Sequence, residues 1–531
     1  MKFIRKSTSL FLAVVILLCA SSMTACDFLF AAPKAVDPIA DNYRTFYQIF
    51  VGSFSDSNGD GIGDLRGIIN RLDYLNDGNI NGGKDLGVQG IWLSPIFESP
   101  SYHKYDAADY YKIDERFGTM DDLKELLSLC HQRNVKVILD LVINHSSSQN
   151  EWFLNFKKAR LTGDTESKYY DYYSCVRGSE KSGKCSYTAL GSDWWYESNF
   201  SSEMPEFNFD NSIVREDLLS LAKFYLDMGV DGFRFDAVKY VYFGNTEKSV
   251  DFWKWYMQEL TAYKPDVYCV GECWSSDSET LEYITAMNCF NFTTSGGEGK
   301  IASVAKGSGI SSYLNYVESY QDKVQAANPV GMPMTFLTNH DMDRIAGAFF
   351  TDNNMKMAAN LYLLSPGSPM IYYGEEIGLL GSRGAANTDA NRRLAMLWGD
   401  GDTIRDPIGS TYDGQIESGV REQLNDKNSL LNYYSKLIAT RHKYPAIARG
   451  DYNAVTSENN HIGGFYIEYN GEVIGLFHNN SMESVTVRLS ELSGLDGHGF
   501  TRMLDFVGIS NASLDADVLT IGAQTSVILG K

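Results

Sequence analysis

The chain reads as an α/β protein: a (β/α)8 TIM barrel with an inserted domain after strand 3 and a C-terminal antiparallel β domain. Three observations predict this. Strand-like and helix-like runs alternate for most of the length, the pattern of a parallel sheet built from βα units. That rhythm breaks over residues 146–211, where Ser, Gly, Tyr and Trp abound and no βα unit can be traced. From about Asp451 it gives way to short alternating segments, GGFYIEYN and EVIGLFHNN among them, separated by turns such as Asn470-Gly471.

Residues 1–26 stand apart from the fold. Lys2, Arg5 and Lys6 precede an apolar run over 10–20, too short to span a bilayer and suited to the core of a signal peptide. Met23-Thr24-Ala25-Cys26 then resembles a bacterial lipobox, with Met where an aliphatic residue is usual. It marks Cys26 for lipidation and the protein for export to the cell surface, with plain secretion as the alternative.

The barrel is expected over 40–145 and 212–448. Residues 43–50 read as the first strand, 65–75 as a helix, and 90–93 as a strand ending at Ser94-Pro95. Thr119, with Asp122 three positions on, caps a helix whose Leu123, Leu126, Leu127 and Cys130 form one apolar stripe. Residues 135–142 are almost continuously apolar, as in a strand covered on both faces. The stretch 146–211 is too long for a simple loop and reads as a small inserted domain. Ser212 is expected to cap the next helix, which buries Leu218, Leu221, Ala222 and Tyr225 and stops at Gly229. Further strands are expected at Phe233 and ending near Glu272, Asn291, Thr338 and Tyr373. The β domain occupies 449–531.

At 531 residues the chain is too long for one ordinary core. Its 44% apolar and 21% charged content suits a soluble globular protein. A formal net charge of −21 argues against nucleic acid or an anionic membrane as partner, leaving a lipid anchor as the route to a membrane. The chain is expected to be a monomer. Six cysteines follow Cys26. Cys175 and Cys185 bracket a polar, Gly-containing turn, a candidate disulfide in an exported protein, with free thiols as the alternative. Cys130, Cys269 and Cys273 read as packed thiols.

Three carboxylates each follow a strand-like run: Asp236 in DGFRFDAVKY, Glu272 in VYCVGECW and Asp341 in FLTNHDMDR. A closed barrel would bring such sequence-distant acids to one pocket at the C-terminal ends of its strands. Two acids are the minimum machinery for breaking a glycosidic bond, one as nucleophile or base and one as proton donor. Arg234 shares a strand face with Asp236 and can hold it ionised. The acid that donates has to stay protonated near neutral pH, which burial and a nearby anion such as Asp341 would favour.

The segments DLVINH (140–145), GFRFDAVKY (232–240), VGECW (270–274) and TNHD (338–341) occur in this order. As a set they resemble the signature of the α-amylase family of glycoside hydrolases. The resemblance implies Asp236 as nucleophile, Glu272 as general acid/base and Asp341 as the third acid, binding ring hydroxyls. It implies hydroxyl contacts from His145 and His340, stacking by Tyr105, and leaving-side contacts from Lys239, although Tyr240 replaces the family's usual His. Asn144 ligates calcium in some relatives and otherwise orients loops.

The segment from Asp56 to Asp64 places oxygen donors at alternate positions with a Gly at the sixth, matching the start of an EF-hand loop. Gly67 stands where the bidentate Glu would be, so it is not an EF-hand. It resembles a calcium loop of the family, implying Ca2+ held by Asp56, Asn58, Asp60, the Ile62 carbonyl and Asp64. MPEFN (204–208) is similar to the inserted-domain motif of neopullulanase-like and intermediary α-amylases, and Ala237 after the nucleophile favours α-1,4 over α-1,6 linkages. The resemblance thus implies an α-amylase-type hydrolase of starch, glycogen or maltodextrins. The alternatives are an exo-acting α-glucosidase, an oligo-1,6-glucosidase, a neopullulanase-like enzyme, or a non-catalytic glucan-binding lipoprotein. Trp194-Trp195-Tyr196 is a candidate sugar platform, or packing of the inserted domain.

Overall fold

Short buried strands form where the apolar runs lie. β1 (Phe46–Ile49), β2 (Gly90–Leu93), β3 (Lys136–Leu141), β4 (Gly232–Phe235), β5 (Tyr268–Gly271) and β6 (Asn288–Cys289) pair in parallel in chain order. β7 (Met370–Tyr372) pairs in parallel with β1. Between β6 and β7 the segment 334–336 makes only isolated parallel bridges, Phe290 to Met334 and Phe336 to Met370. These two bridges close the cylinder, so the strand expected to end at Thr338 exists as a sparse seam.

This computed structural model describes residues 41–79, 84–349, 351–495 and 497–531. The leader and Cys26 lie outside the described residues. Among those described, no helix is long and apolar enough to cross a membrane.

The two-residue period of each strand sorts side chains inward or outward. Phe46, Trp92, Ile138, Tyr268, Val270, Phe290, Met334, Phe336 and Met370 fill one cluster, the barrel's interior. Tyr47, Ile91, Val137, Leu139, Phe233 and Phe235 belong instead to the layer packed under the helices. The same period sends Gln48, Asp140 and Arg234 inward near the strands' C-terminal ends, and all three are buried.

Helix Met120–Gln132 has the expected capping box, and its buried residues are Leu123, Leu126, Leu127 and Cys130. Helix Ser212–Met228 is capped one residue earlier than expected. Asn211 accepts from the Ile213 amide, so Ser212 is the first helical residue, and Gly229 ends the helix at φ 108°. The helix expected over 65–75 is two pieces, Leu65–Asn70 and Leu72–Leu75, interrupted at Arg71.

The stretch 146–211 contains helix Glu151–Thr162 and a three-stranded sheet with Trp194–Glu197 in the middle. Cys175 pairs opposite Tyr196 on one side of that middle strand, while Tyr187, two residues after Cys185, pairs opposite Glu197 on the other side. Both thiols are free in this structure, where the candidate Cys175–Cys185 bridge is not made. MPEFN ties this insertion to the barrel: Phe207 N–H donates to Asn144 O at 3.1 Å and Ser146 N–H to Pro205 O at 3.1 Å.

The C-terminal region folds as a five-stranded antiparallel sheet packed on a three-stranded one over a separate apolar cluster. Its longest hairpin turns at Asn470-Gly471, both with positive φ (52° and 81°), as a tight two-residue turn requires.

Candidate active site

Asp236, Glu272 and Asp341 line one cavity of about 490 Å³ at the C-terminal mouth of the barrel, together with Tyr105, His145, Lys239 and Arg393. Arg234 is the hub beneath it. It is fully buried, and its Nη1 donates to Asp140 at 2.8 and 3.0 Å and to Asp236 at 2.6 Å. Its Nη2 lies 2.9 Å from Glu272 Oε1, a close ion pair whose angle falls outside hydrogen-bond alignment. One guanidinium thus bridges the two acids that β4 and β5 present side by side.

Ala237, directly after Asp236, takes a left-handed backbone at φ 49°. That turn aims its N–H at Glu272 Oε2, 3.3 Å away, and starts the short helical turn carrying Lys239. Strained non-glycine positions of this kind cluster at sites where geometry matters more than stability. Lys239 Nζ donates to the Trp274 carbonyl at 2.8 Å, and the Trp274 ring is half exposed and stacked on Phe292.

Asp341 is pinned from both sides. Arg393 Nη2 donates to its Oδ1 at 2.7 Å, and His340 Nε2 lies 2.9 Å from its Oδ2. Arg393 Nε also donates to the His340 carbonyl at 3.0 Å. Gln48 Nε2 meets His340 Nδ1 at 2.7 Å, which assigns the imidazole proton to Nε2. Tyr105 donates to Asp140 at 2.8 Å and its ring stacks on His340 at 5.2 Å and 10°. His145 is buried, and its Nε2 finds no partner among the described residues, an idle polar atom at the cavity wall.

Charge counting explains the proton distribution. Two guanidinia, Arg234 and Arg393, face four carboxylates, so not all four acids can ionise at low cost. Burial pushes Glu272 up to about 7, with Asp236 and Asp341 adding to it and Arg234 opposing. Burial likewise raises Asp140 to about 7. Burial lifts Asp236 too, held in check by the Arg234 guanidinium. Against its own burial, Asp341 is held below the usual carboxylate range by His340 and Arg393. His145, lowered by burial to about 4, is neutral at pH 7. The site therefore pairs a proton-retaining acid with an arginine-held carboxylate, the division of labour that glycosidic cleavage needs.

Asp140, Gln48 and Arg393 were not among the residues singled out. Asp140 opens the DLVINH segment and lies two strand positions from Ile138, a spacing that carries the signal; Gln48 shares that inward period. Arg393 sits in ANRRL with no motif to mark it. Trp194 and Trp195 do not reach the cavity: the Arg177 guanidinium covers Trp194 at 3.8 Å and Lys181 Nζ covers Trp195 at 3.6 Å.

The loop of Asp56, Asn58, Asp60, Ile62 and Asp64 wraps on itself. Asp56 accepts from the amides of Asn58, Gly59 and Gly61, Asn58 accepts from Asp60 N–H, and Asp60 accepts from Ile62 N–H. Asp64 caps helix Leu65–Asn70 through Gly67 N–H. The donors are hard oxygens of the kind calcium takes. As placed, they serve the backbone, and no three acidic, His or Cys side chains among the described residues converge to hold a metal.

A buried arginine joining two carboxylates at the top of a parallel barrel presents the acid pair that a glycoside hydrolase needs. Residues 48–450 match the family model described as the α-amylase catalytic domain. An α-amylase 3 of Dictyoglomus thermophilum is 34% identical over 91% of this chain and 92% of its own length. An oligo-1,6-glucosidase of Bacillus cereus is 30% identical over 84% of this chain and 91% of its own. The solved structure of Eubacterium rectale Amy13B superposes with a TM-score of 0.85 at 34% identity, covering 94% of this chain and 99% of that one. The chain belongs to the α-amylase family of glycoside hydrolases.

Proposed function

We propose that the protein is a retaining hydrolase of α-1,4-glucosidic bonds in starch, glycogen or maltodextrins, cutting within chains. The observation that carries this reading is the Arg234 bridge. Two carboxylates drawn to one guanidinium support the close pairing of a nucleophile and its acid partner that a retaining enzyme uses. In this scheme Glu272 gives its proton to the leaving oxygen as Asp236 attacks the anomeric carbon. Glu272 then takes a proton from the water that releases the sugar. Asp341, His340 and His145 bind hydroxyls, and Tyr105 supports the ring being cleaved.

Ala237 after the nucleophile and the MPEFN segment support the α-1,4 reading over the α-1,6 one suggested by the oligo-1,6-glucosidase relative. Early products of soluble starch decide between them. A spread of maltodextrins, first released as α-anomers, with isomaltose untouched, is the expected result. Glucose alone from the outset, isomaltose cleavage, or β-anomers would overturn the proposal. The leader and Cys26 support an exported, lipid-anchored protein, and the donor set at 56–64 supports calcium as a structural ion; a monomer completes the proposal.

A further inference from the structure

The loop between Phe97–Glu98 and Asp109–Ile113, two strands that pair antiparallel, brings His103 and Tyr105 to the wall of the active-site cavity. Lys104 stands between them and does not line the cavity. It takes a left-handed backbone at φ 66°, which a lysine adopts only at a cost that glycine would escape. Its side chain is 2% exposed and ends 2.6 Å from a carboxylate oxygen of Asp114, itself 3% exposed. A strained residue and a buried ion pair thus coincide beside two cavity-lining rings, where such costs are kept for the geometry they impose.

Lys104 ties the loop together. Its Nζ also donates to the Ser99 carbonyl at 3.1 Å, and its N–H donates to Ser101 Oγ at 3.1 Å. Ser99 and Ser101 each donate to Asp106, the first at 2.8 Å. Arg116 steadies Asp114 from the other side, with Nε donating to Oδ1 at 2.9 Å and Nη2 to Oδ2 at 3.0 Å. Against its own burial, Asp114 is held down to about 2 by Arg116 and Lys104, so it is an anion at neutral pH. The shape of the loop also sets the state of its two rings. Tyr105 N–H donates to His103 Nδ1 at 3.1 Å, which leaves the imidazole proton on Nε2. Burial lowers His103 to about 4, so the ring is neutral at pH 7. Tyr105 is carried to its stack on His340 and its bond to Asp140.

We infer that Lys104 is a positioning residue for the cleavage proposed above: its buried ion pair with Asp114 holds the strained loop in the shape that sets Tyr105 beneath the sugar ring and gives His103 a proton to offer a hydroxyl. This rests on the hydrolase reading. Glycine would suit the backbone better, so the lysine is explained by what its charge holds.

Initial rates on maltoheptaose, with melting temperatures, test it in Lys104→Met, Lys104→Gly, Asp114→Asn and the Lys104→Met/Asp114→Asn double variant. A misplacement of about 1 Å can cost about 10² in rate, so kcat/KM is expected to fall at least about tenfold in both Lys104 variants. Lys104→Gly relieves the left-handed strain and should melt above Lys104→Met, yet be no more active. Stability and activity then part, which a merely structural lysine would not produce. The double variant should stay within about twofold of the worse single one, because both changes break the same link. Near-normal kcat/KM in both Lys104 variants, activity that follows melting temperature across the series, or losses that multiply in the double variant would each overturn the proposal. If Lys104→Met does not fold, Lys104→Gly against wild type decides alone: lost activity in a folded chain supports the role and retained activity overturns it. Wild-type protein inert towards maltoheptaose would overturn the hydrolase reading instead.

Discussion

Replacing Glu272 with Gln keeps the shape of the side chain and removes its proton. Proton donation by a positioned acid contributes about 10²–10⁴ in rate, so turnover on starch should fall by that factor, about 3–5 kcal/mol in barrier height. The same change has a separable effect on stability. Glu272 rises from 4.5 to about 7 on folding, chiefly through burial. The unfolded chain therefore loses this proton first as pH climbs, and native stability falls between those two values and stays low above them. At about 1.4 kcal/mol per tenfold change, the penalty above pH 7 is about 3 kcal/mol, and a neutral Gln does not carry it. The Glu272→Gln protein should thus melt close to wild type at pH 4.5 and above it at pH 8. Wild-type turnover should fall about fivefold between pH 7 and 8 as Glu272 deprotonates, and residual activity of the variant should lack that limb. Initial rates on soluble starch over pH 5–9, with scanning calorimetry at the two pH values, check all three. Near-normal turnover in the variant, or an identical melting difference at both pH values, would refute the assignment.

Asp341→Asn removes an anion that helps Glu272 keep its proton. The alkaline limb should move to lower pH, KM should rise as hydroxyl contacts are lost, and a limb that stays in place would count against the electrostatic coupling. If calcium occupies the 56–64 loop, chelation should lower Tm, since an ion at a hundredfold its Kd adds about 3 kcal/mol to the folded state. Equal melting temperatures with and without chelator would reject the ion.

The barrel and the positions of Asp236 and Glu272 were legible because each acid closely follows a strand-forming run, whereas Asp341 was legible through the TNHD segment that carries it. The seam at 334–336 was not, because irregular pairing leaves no periodic trace. Asn211 in place of Ser212 as a helix cap reflects two adjacent residues with similar capping preference, which only backbone geometry separates. Cys175 and Cys185 looked like the ends of one loop; a central strand running between them is a long-range fact that local spacing does not encode. Arg393 was invisible for the same reason, since it reaches the site from a 3-10 turn in a segment without motif.

The sparse join between 334–336 and its neighbours also divides the labour of the pocket. Asp236 and Glu272 follow strands with full ladders, so the proposed bond-breaking pair inherits its alignment from the main chain. Asp341 emerges just past the thinnest stave of the cylinder and owes its posture to Arg393, His340 and Gln48. Substitution at Arg393 is accordingly expected to loosen Asp341 before it disturbs Asp236 and Glu272.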